Sequence, residues 1–197
     1  MNGNKKVNMK DTDFNKLAKK AYTNAKAKGF HDKPCTDAHC LMLVACELAE
    51  AVEADRSEKR ADRKQYKRLA GVCEERLQPY LFEMYIKDTV EDELADAVIR
   101  LLDFVGYKGM DIPKEYITVE QIKVEAEEVR GWMNGKSFAD MMFTSCVVNM
   151  ESAKDIPESM IYSIFVIAEL YGIDLLWHIE EKMKYNETRD LLHGKLY

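Results

Sequence analysis

The feature that most constrains this chain is a helical periodicity that is rarely interrupted. Its 197 residues include only 4 Pro and 9 Gly, and apolar side chains recur every three or four positions in the segments between them. A helix of about 3.6 residues per turn places such positions on one face, whereas a half-buried strand requires strict alternation. The sequence therefore predicts an all-α fold, an antiparallel helical bundle, and a length sufficient for one domain with a substantial core.

Helix-capping and helix-breaking residues divide the first part of the chain into predicted helices. We predict a first helix from about Thr12 to Lys28, with Asp11 or Thr12 as its N-cap and Gly29 at its end. A second helix starts near Asp37 and continues into the charged segment DRSEKRADRKQYKR, with a boundary at Pro79 near its end.

A third helix is predicted from about Phe82 to Val105. It has apolar residues on both faces: Val90, Leu94, Ala97, Leu101 and Phe104 on one, and Ile99 and Leu102 on the other. Because an amphipathic surface helix has only one apolar face, this pattern predicts a central, buried helix.

The later part of the chain resembles the earlier part. Residues 139–155 align without a gap on residues 39–55, with Val147 and Met150 in the places of Glu47 and Glu50. We interpret this as a degenerate duplication, because a helical hairpin needs a second pair of helices to bury its apolar faces. The predicted organisation is a single all-α domain with an acid-bearing half at 12–112 and, at 118–197, a degenerate half plus a C-terminal tail.

Acidic residues border the apolar stripes of two predicted helices. Glu47 and Glu50 are one turn apart beside the stripe of the second helix, so their carboxylates can converge, whereas Glu53 faces solvent. In the third helix Glu93 borders the stripe and Asp96 follows one turn later. A carboxylate at the edge of an apolar face needs a cation or a proton, because burying an isolated charge is costly.

If the two helices face each other, these four side chains enclose a site of oxygen ligands. Mg²⁺ prefers such ligands, as does Mn²⁺, and Mg²⁺ takes further ligands from substrate phosphates. The alternative is that the acids are solvated and paired with Lys or Arg. A zinc cluster of His31, Cys35, His39 and Cys40 is a weaker alternative, because no paired C-x-x-C spacing supports it.

Composition excludes several classes of partner. The formal net charge of −6 and pI of about 5.4 argue against a general nucleic-acid binder, whose affinity comes from basic surface. No stretch approaches the roughly 20 apolar residues of a membrane span. The five Cys form an odd, unpatterned set and no segment resembles a signal peptide, so we predict a cytoplasmic protein.

The combination of motifs resembles the all-α nucleoside triphosphate pyrophosphohydrolases, which include MazG-like proteins and dimeric dUTPases. ELAE at Glu47–Glu50 and ELAD at Glu93–Asp96 are similar to the E-x-x-E and E-x-x-D signature of that superfamily. The segments GFHD, ADAVIRLLD and KMKYNETRDLLHGKLY are similar to the flanking regions of phage-type and bacterial members. About fifty residues, 118–171, separate the ELAD helix from the tail motif, which lies much closer in short members.

The resemblance implies an Mg²⁺-dependent hydrolase that converts a nucleoside triphosphate to the monophosphate and pyrophosphate. Glu47, Glu50, Glu93 and Asp96 would hold the metal, and Glu50 is our candidate for the base that activates water. The tail would bind phosphate or sugar through Lys182, Asn186, Arg189 and Lys195. Phe30 and His31, in the loop before the acidic helix, are candidates for stacking on the base or for a hydrophobic plug.

The resemblance also implies a homo-oligomer, a dimer or tetramer, because MazG-like helices complete their bundles across subunits. The alternative function is a catalytically inactive helical interaction protein on the same scaffold. The four acids argue against that alternative, because the duplicated segment indicates that the fold can form without them.

Overall fold

The computed structural model describes Met9, residues 12–132 and residues 135–194. Every regular element in this part of the chain is helical and none is a strand, which confirms the predicted all-α fold. The α-helices described are α1 (Phe14–Ala27), α2 (Asp37–Arg56), α3 (Arg63–Ala70), α4 (Gln78–Tyr85), α5 (Val90–Lys108), α6 (Val119–Trp132), α7 (Phe138–Met142), α8 (Pro157–Leu170) and α9 (Leu175–Thr188).

The bundle is organised around α5, as its two apolar faces predicted. Eleven of its 19 residues are buried, and the helix packs against α1, α2, α8 and α9. Leu94, Val98 and Leu101 have no exposed surface, and each such side chain contributes about 1.5–3 kcal/mol of burial free energy. The position of α5 fixes the position of every acid that it carries.

The first helix begins slightly later than predicted. Its N-cap is Asp13, whose carboxylate accepts hydrogen bonds of 3.1 Å from the backbone amides of Asn15 and Lys16. Of the two predicted caps, Thr12 is not the one used and Asp11 lies outside the described residues. The helix ends as predicted, with Gly29 in the left-handed region at φ 86°.

The prediction that the second helix continues into the charged segment is wrong. After Arg56 the chain turns with Glu58 at φ 54°. The amide of Glu58 donates to the carbonyl of Asp55 at 3.0 Å, and that of Lys59 donates to the carbonyl of Ala54 at 2.9 Å. This is the Schellman termination, and the sequence gives no warning of it because Glu occupies the position that usually holds Gly.

The predicted third helix is two helices. The α4 helix starts with Pro79 in its first turn and ends at Tyr85, and α5 begins after a turn in which Asp88 has φ 60°. Thr89 caps α5 by accepting a hydrogen bond from the Asp92 amide at 3.3 Å, while the Asp92 carboxylate accepts one from the Asp88 amide at 3.1 Å. This Thr-x-x-Asp signature of a helix start was present in the sequence.

Residues 139–155, which align on the acid-bearing second helix, do not form one continuous helix. They comprise α7, a π-helical turn at Phe143–Val147 and a 3-10 turn at Met150–Lys154. Both α7 and the 3-10 turn pack against α2. The division into two related halves stays a prediction.

The most apolar helix, α8, is mostly buried. Ile161 and Ile164 have no exposed surface. Among the described residues, no single helix has both the length and the apolar composition of a membrane span; α8 and α9 reach that composition only as a pair bent by 114°.

Gly106 allows α1 and α5 to approach closely. A Cβ atom at this position would lie 2.6 Å from Cβ of Tyr22 and 2.8 Å from the carbonyl oxygen of Ala18. Because neither atom is at the end of a flexible side chain, we expect Gly106→Ala to lower the free energy of unfolding by about 1–3 kcal/mol. Gly131→Ala on α6, where a Cβ would meet nothing within 4 Å, is the control. Urea unfolding of both variants checks this, and equal stabilities would contradict it.

Candidate functional site

A cavity of about 690 Å³ opens between α1, α2, α5 and α9. The predicted site residues in its wall are Phe30, His31, Glu47, Glu50, Glu93, Asp96, Lys182, Asn186 and Arg189. Residues that the sequence analysis did not select also line it, among them Lys28, Asp103 and His193. The remaining predicted residue, Lys195, lies outside the described residues. The structure thus brings residues from distant parts of the sequence to one cavity.

Three carboxylates, which we call the acid group, converge at the wall of this cavity. Glu47 comes from α2, while Glu93 and Asp96 come from successive turns of α5, and one oxygen of each lies within 4.8 Å of the others. Glu47 and Glu93 are each only 4% exposed. Glu50 lines the cavity but is exposed and does not belong to this close group. Glu53 is exposed, as predicted, and pairs with Arg56 at 2.7 Å.

Arg100 neutralises part of this charge. It lies on α5 one turn after Asp96, and its Nε donates to Oε1 of Glu47. The alternative of acids paired with basic residues therefore applies to Glu47, except that the Glu47 side chain is buried and that of Arg100 is only 26% exposed. Burial and the charge of Asp96 raise the pKa of Glu47, while Arg100 opposes the rise.

Lys182, on α9, contacts the acid group through Asp96. Its Nζ lies 2.7 Å from Oδ2 of Asp92 and 2.7 Å from Oδ2 of Asp96. Burial alone would lower the pKa of Lys182, but the charges of Asp96 and Asp92 raise it above its ordinary value, so the side chain stays an ammonium. Its charge is thus shared between two carboxylates before any phosphate is present, and its predicted role in substrate binding stays a prediction.

Asp92 is a site residue that the sequence analysis missed. It is 1% exposed, it bonds Lys182, and its Oδ1 has no hydrogen-bond partner among the described atoms. Its Thr-x-x-Asp spacing marked it as a helix-start residue, but nothing local indicated that a lysine ninety positions later would reach it. Asp92 also forms a second close group of carboxylates with Asp88 and Glu93.

The acid group and Asp92 together supply four carboxylates, and among the described residues only two cations, Arg100 and Lys182, pair with them. Burial, reinforced by the charges of Asp96 and Asp92, raises the pKa of Glu93 to about 9. Burial raises the pKa of Asp92 to about 7 despite the opposing charge of Lys182. Without another cation, Glu93 therefore keeps a proton at neutral pH. Buried oxygen ligands of this kind fit a hard divalent cation such as Mg²⁺ or Mn²⁺.

The C-terminal part of the cavity wall is basic and polar. Oδ1 of Asn186 is buried without a partner among the described atoms. The guanidinium of Arg189 lies 5.8 Å from the ring of Tyr185 and donates to the carbonyl of His193 at 3.4 Å. Burial and the charge of Arg189 lower the pKa of His193 to about 4, so its ring is neutral at physiological pH.

His31 is held by the protein itself. Its Nε2 lies 2.7 Å from Oδ1 of Asp103, and its ring stacks on Tyr107 with the centroids 4.8 Å apart. The ring of Tyr22 packs against it at 5.0 Å. The rings of Phe30 and His193 meet edge to face at 5.1 Å. Stacking of His31 on a substrate base stays a prediction, although one face of its ring is already covered by Tyr107.

The zinc alternative receives no geometric support from the described residues. The groups of ligand atoms close enough to share one ion there consist of carboxylates alone. His31 is engaged by Asp103, and the Cys35 thiol lies 3.7 Å from the carbonyl of Lys33. The candidate metal centre is therefore the acid group.

Comparisons with protein-family models, with curated proteins and with solved structures found no match to this chain.

Glu93 gives the cation-free protein a measurable pH dependence. Because its folded-state pKa of about 9 exceeds the ordinary value of 4.5, its contribution to stability is fully present below the ordinary value and is lost as the pH rises toward about 9. In EDTA, we expect Glu93→Gln to be increasingly more stable than the parent between about pH 6 and about pH 9. Thermal unfolding followed by circular dichroism measures this.

Mg²⁺ provides the second half of this test. We expect it to raise the melting temperature of the parent and not that of Glu93→Gln, because the amide cannot supply a carboxylate ligand. The exposed Glu53→Gln variant on α2 is the control and should respond like the parent. Equal Mg²⁺ responses in Glu93→Gln and the parent would contradict the metal assignment.

The ion pair of Lys182 is expected to be a large determinant of stability. Lys182→Met leaves Asp92 buried without its cation and should lower the free energy of unfolding by about 3–5 kcal/mol. Adding Asp92→Asn removes the unpaired charge and should recover part of that loss. Lys184→Met on the same helix, where the exposed lysine pairs with Glu181 at 2.6 Å, should cost less than about 1 kcal/mol. Urea unfolding measures all three, and similar losses for both lysines would contradict the proposed role of the pair.

Proposed function

We propose that this protein is an Mg²⁺-dependent nucleotide pyrophosphohydrolase that converts a nucleoside triphosphate to the monophosphate and pyrophosphate. The observation that carries the proposal is the convergence of Glu47, Glu93 and Asp96 from two helices at the wall of one large cavity. This agrees with the resemblance of ELAE and ELAD to the superfamily signature.

The charge distribution of the cavity supports a phosphate-bearing substrate. Carboxylates from α2 and α5 line the cavity together with Asn186 of α9 and with Arg189, which follows that helix. A volume of about 690 Å³ falls in the range of about 300–1,000 Å³ that is typical of small-molecule sites. Arg189 is suited to bidentate contact with phosphate oxygens, and the unpartnered Oδ1 of Asn186 can accept a hydrogen bond from a sugar hydroxyl.

The chain supplies the groups that such a reaction needs. Glu47, Glu93 and Asp96 would hold the cation, with Arg100 and Lys182 fixing the carboxylates in place. The chemistry that a bound Mg²⁺ supplies is charge neutralisation of the triphosphate and acidification of water. Glu50 lies in the cavity wall, exposed and outside the buried pairs. Glu50 would accept the proton of the water that attacks the α-phosphorus. Pyrophosphate would leave with the electron pair of the bond between the α-phosphorus and the bridging oxygen.

The direct test is incubation with single nucleoside triphosphates, with dUTP, dCTP, dATP and dGTP included, in the presence of Mg²⁺. Chromatography of the products should show monophosphate and pyrophosphate in equal amounts. Glu47→Gln and Asp96→Asn should lower kcat/KM by at least about a hundredfold, because each removes a carboxylate needed by the cation.

Glu53→Gln is the matched control, since Glu53 is on the same helix as Glu47 but is exposed and pairs only with Arg56. It should stay within about twofold of the parent. Release of inorganic phosphate with a diphosphate product would contradict cleavage between the α and β phosphates. If the folded protein hydrolyses none of the nucleotides, the proposed enzymatic activity is refuted. That result would favour the alternative, a catalytically inactive helical interaction protein on the same scaffold.

A further inference from the structure

The chain after α9 forms part of the cavity wall. We call residues 189–194 the C-terminal turn; three of its residues, Arg189, Leu192 and His193, line the cavity. Leu192 and His193 both have φ 50°, in the left-handed region. Because non-glycine residues avoid this region, contacts from elsewhere must hold the turn in this shape.

Lys28, at the end of α1, supplies such contacts. Its Nζ donates hydrogen bonds to the carbonyl oxygens of Glu187, at 2.9 Å, and of Arg189. Its own carbonyl oxygen accepts a hydrogen bond of 2.8 Å from the amide of Leu192. The last carbonyls of a helix have no intrahelical partner and carry partial negative charge, so an ammonium there satisfies both their hydrogen bonds and the helix dipole.

Lys20, on α1, also reaches Glu187 but contacts its side chain instead of the backbone. Its Nζ lies 3.1 Å from Oε1 of Glu187, and both side chains are about half exposed. This contact joins two half-exposed side chains and holds no backbone. Lys28 therefore fixes the main chain that carries Arg189, and Lys20 does not.

We propose that Lys28 is a positioning residue for the triphosphate, acting through Arg189 and the C-terminal turn. The proposal rests on the function proposed above and adds a determinant of substrate affinity. Arg189 has a long, flexible side chain, and fixing its backbone beforehand lowers the entropic cost of placing the guanidinium on phosphate oxygens. Without Lys28, binding of the triphosphate must also order the C-terminal turn, and this added entropic cost lowers the affinity.

The kinetic test compares Lys28→Met with the matched Lys20→Met. Loss of the ammonium bonds in Lys28→Met should raise KM for the triphosphate about tenfold while kcat changes far less. Lys20→Met should leave KM within about twofold. Lys28→Arg should restore most of the affinity, because its guanidinium can also donate to both carbonyls.

Hydrogen exchange of the cation-free, nucleotide-free proteins separates positioning from direct contact with phosphate. Peptides that cover residues 185–194 should exchange faster in Lys28→Met than in the parent, and no faster in Lys20→Met. A higher KM with unchanged exchange would overturn the proposal, since it would indicate direct contact. Faster exchange with an unchanged KM would overturn it as well.

This design also distinguishes the two proposals. If the parent hydrolyses no nucleotide, the proposed function fails, and the exchange comparison still shows whether Lys28 holds the turn. Equal exchange in Lys28→Met and Lys20→Met would then refute the role of Lys28 independently of activity.

Discussion

The interaction on which the rest of the site depends is the buried contact of the Lys182 ammonium with the carboxylates of Asp92 and Asp96. It fastens α9 to α5 at the level of the acid group, with both distances at 2.7 Å. Buried charges of one sign repel each other and lose hydration, so they are tolerated only as a compensated set. Lys182 therefore decides both where α9 packs and how many carboxylates α5 can keep inside the bundle.

The positive charges that the structure describes around the acid group are too few to balance the negative ones. Two cations, Arg100 and Lys182, face Glu47, Asp92, Glu93 and Asp96, and the imbalance appears as the raised pKa of Glu93. A fold selected for stability alone would replace Glu93 by an apolar residue, because the neighbouring Leu94 and Ala97 of α5 are completely buried in the core. Carboxylates with strongly shifted pKa values at the wall of a cavity are typical of functional sites, where a bound ligand supplies the missing positive charge.

The two sides of the cavity are built by different means. Its carboxylates are carried by α2 and α5, whose apolar faces form part of the core. Its basic side lies on the last turn of α9 and the C-terminal turn, which Lys28 ties to α1. The arrangement places the candidate cation ligands on helices of the core and the phosphate-binding candidates on a segment held by a few polar contacts. Such segments open more easily than core helices.

The sequence by itself determined the all-α class, the central position of α5 and the placement of Glu47, Glu93 and Asp96 beside apolar helix faces, because helical periodicity is a local property. It misplaced the end of α2 and joined α4 to α5, because left-handed turns at Glu58 and Asp88 carry no glycine. Only the tertiary structure decided which groups compensate the acids. Lys182 meets Asp92 across ninety residues, and His31 meets Asp103 across seventy-two. Such pairs depend on how helices are aligned in three dimensions, which the spacing within any one helix does not encode.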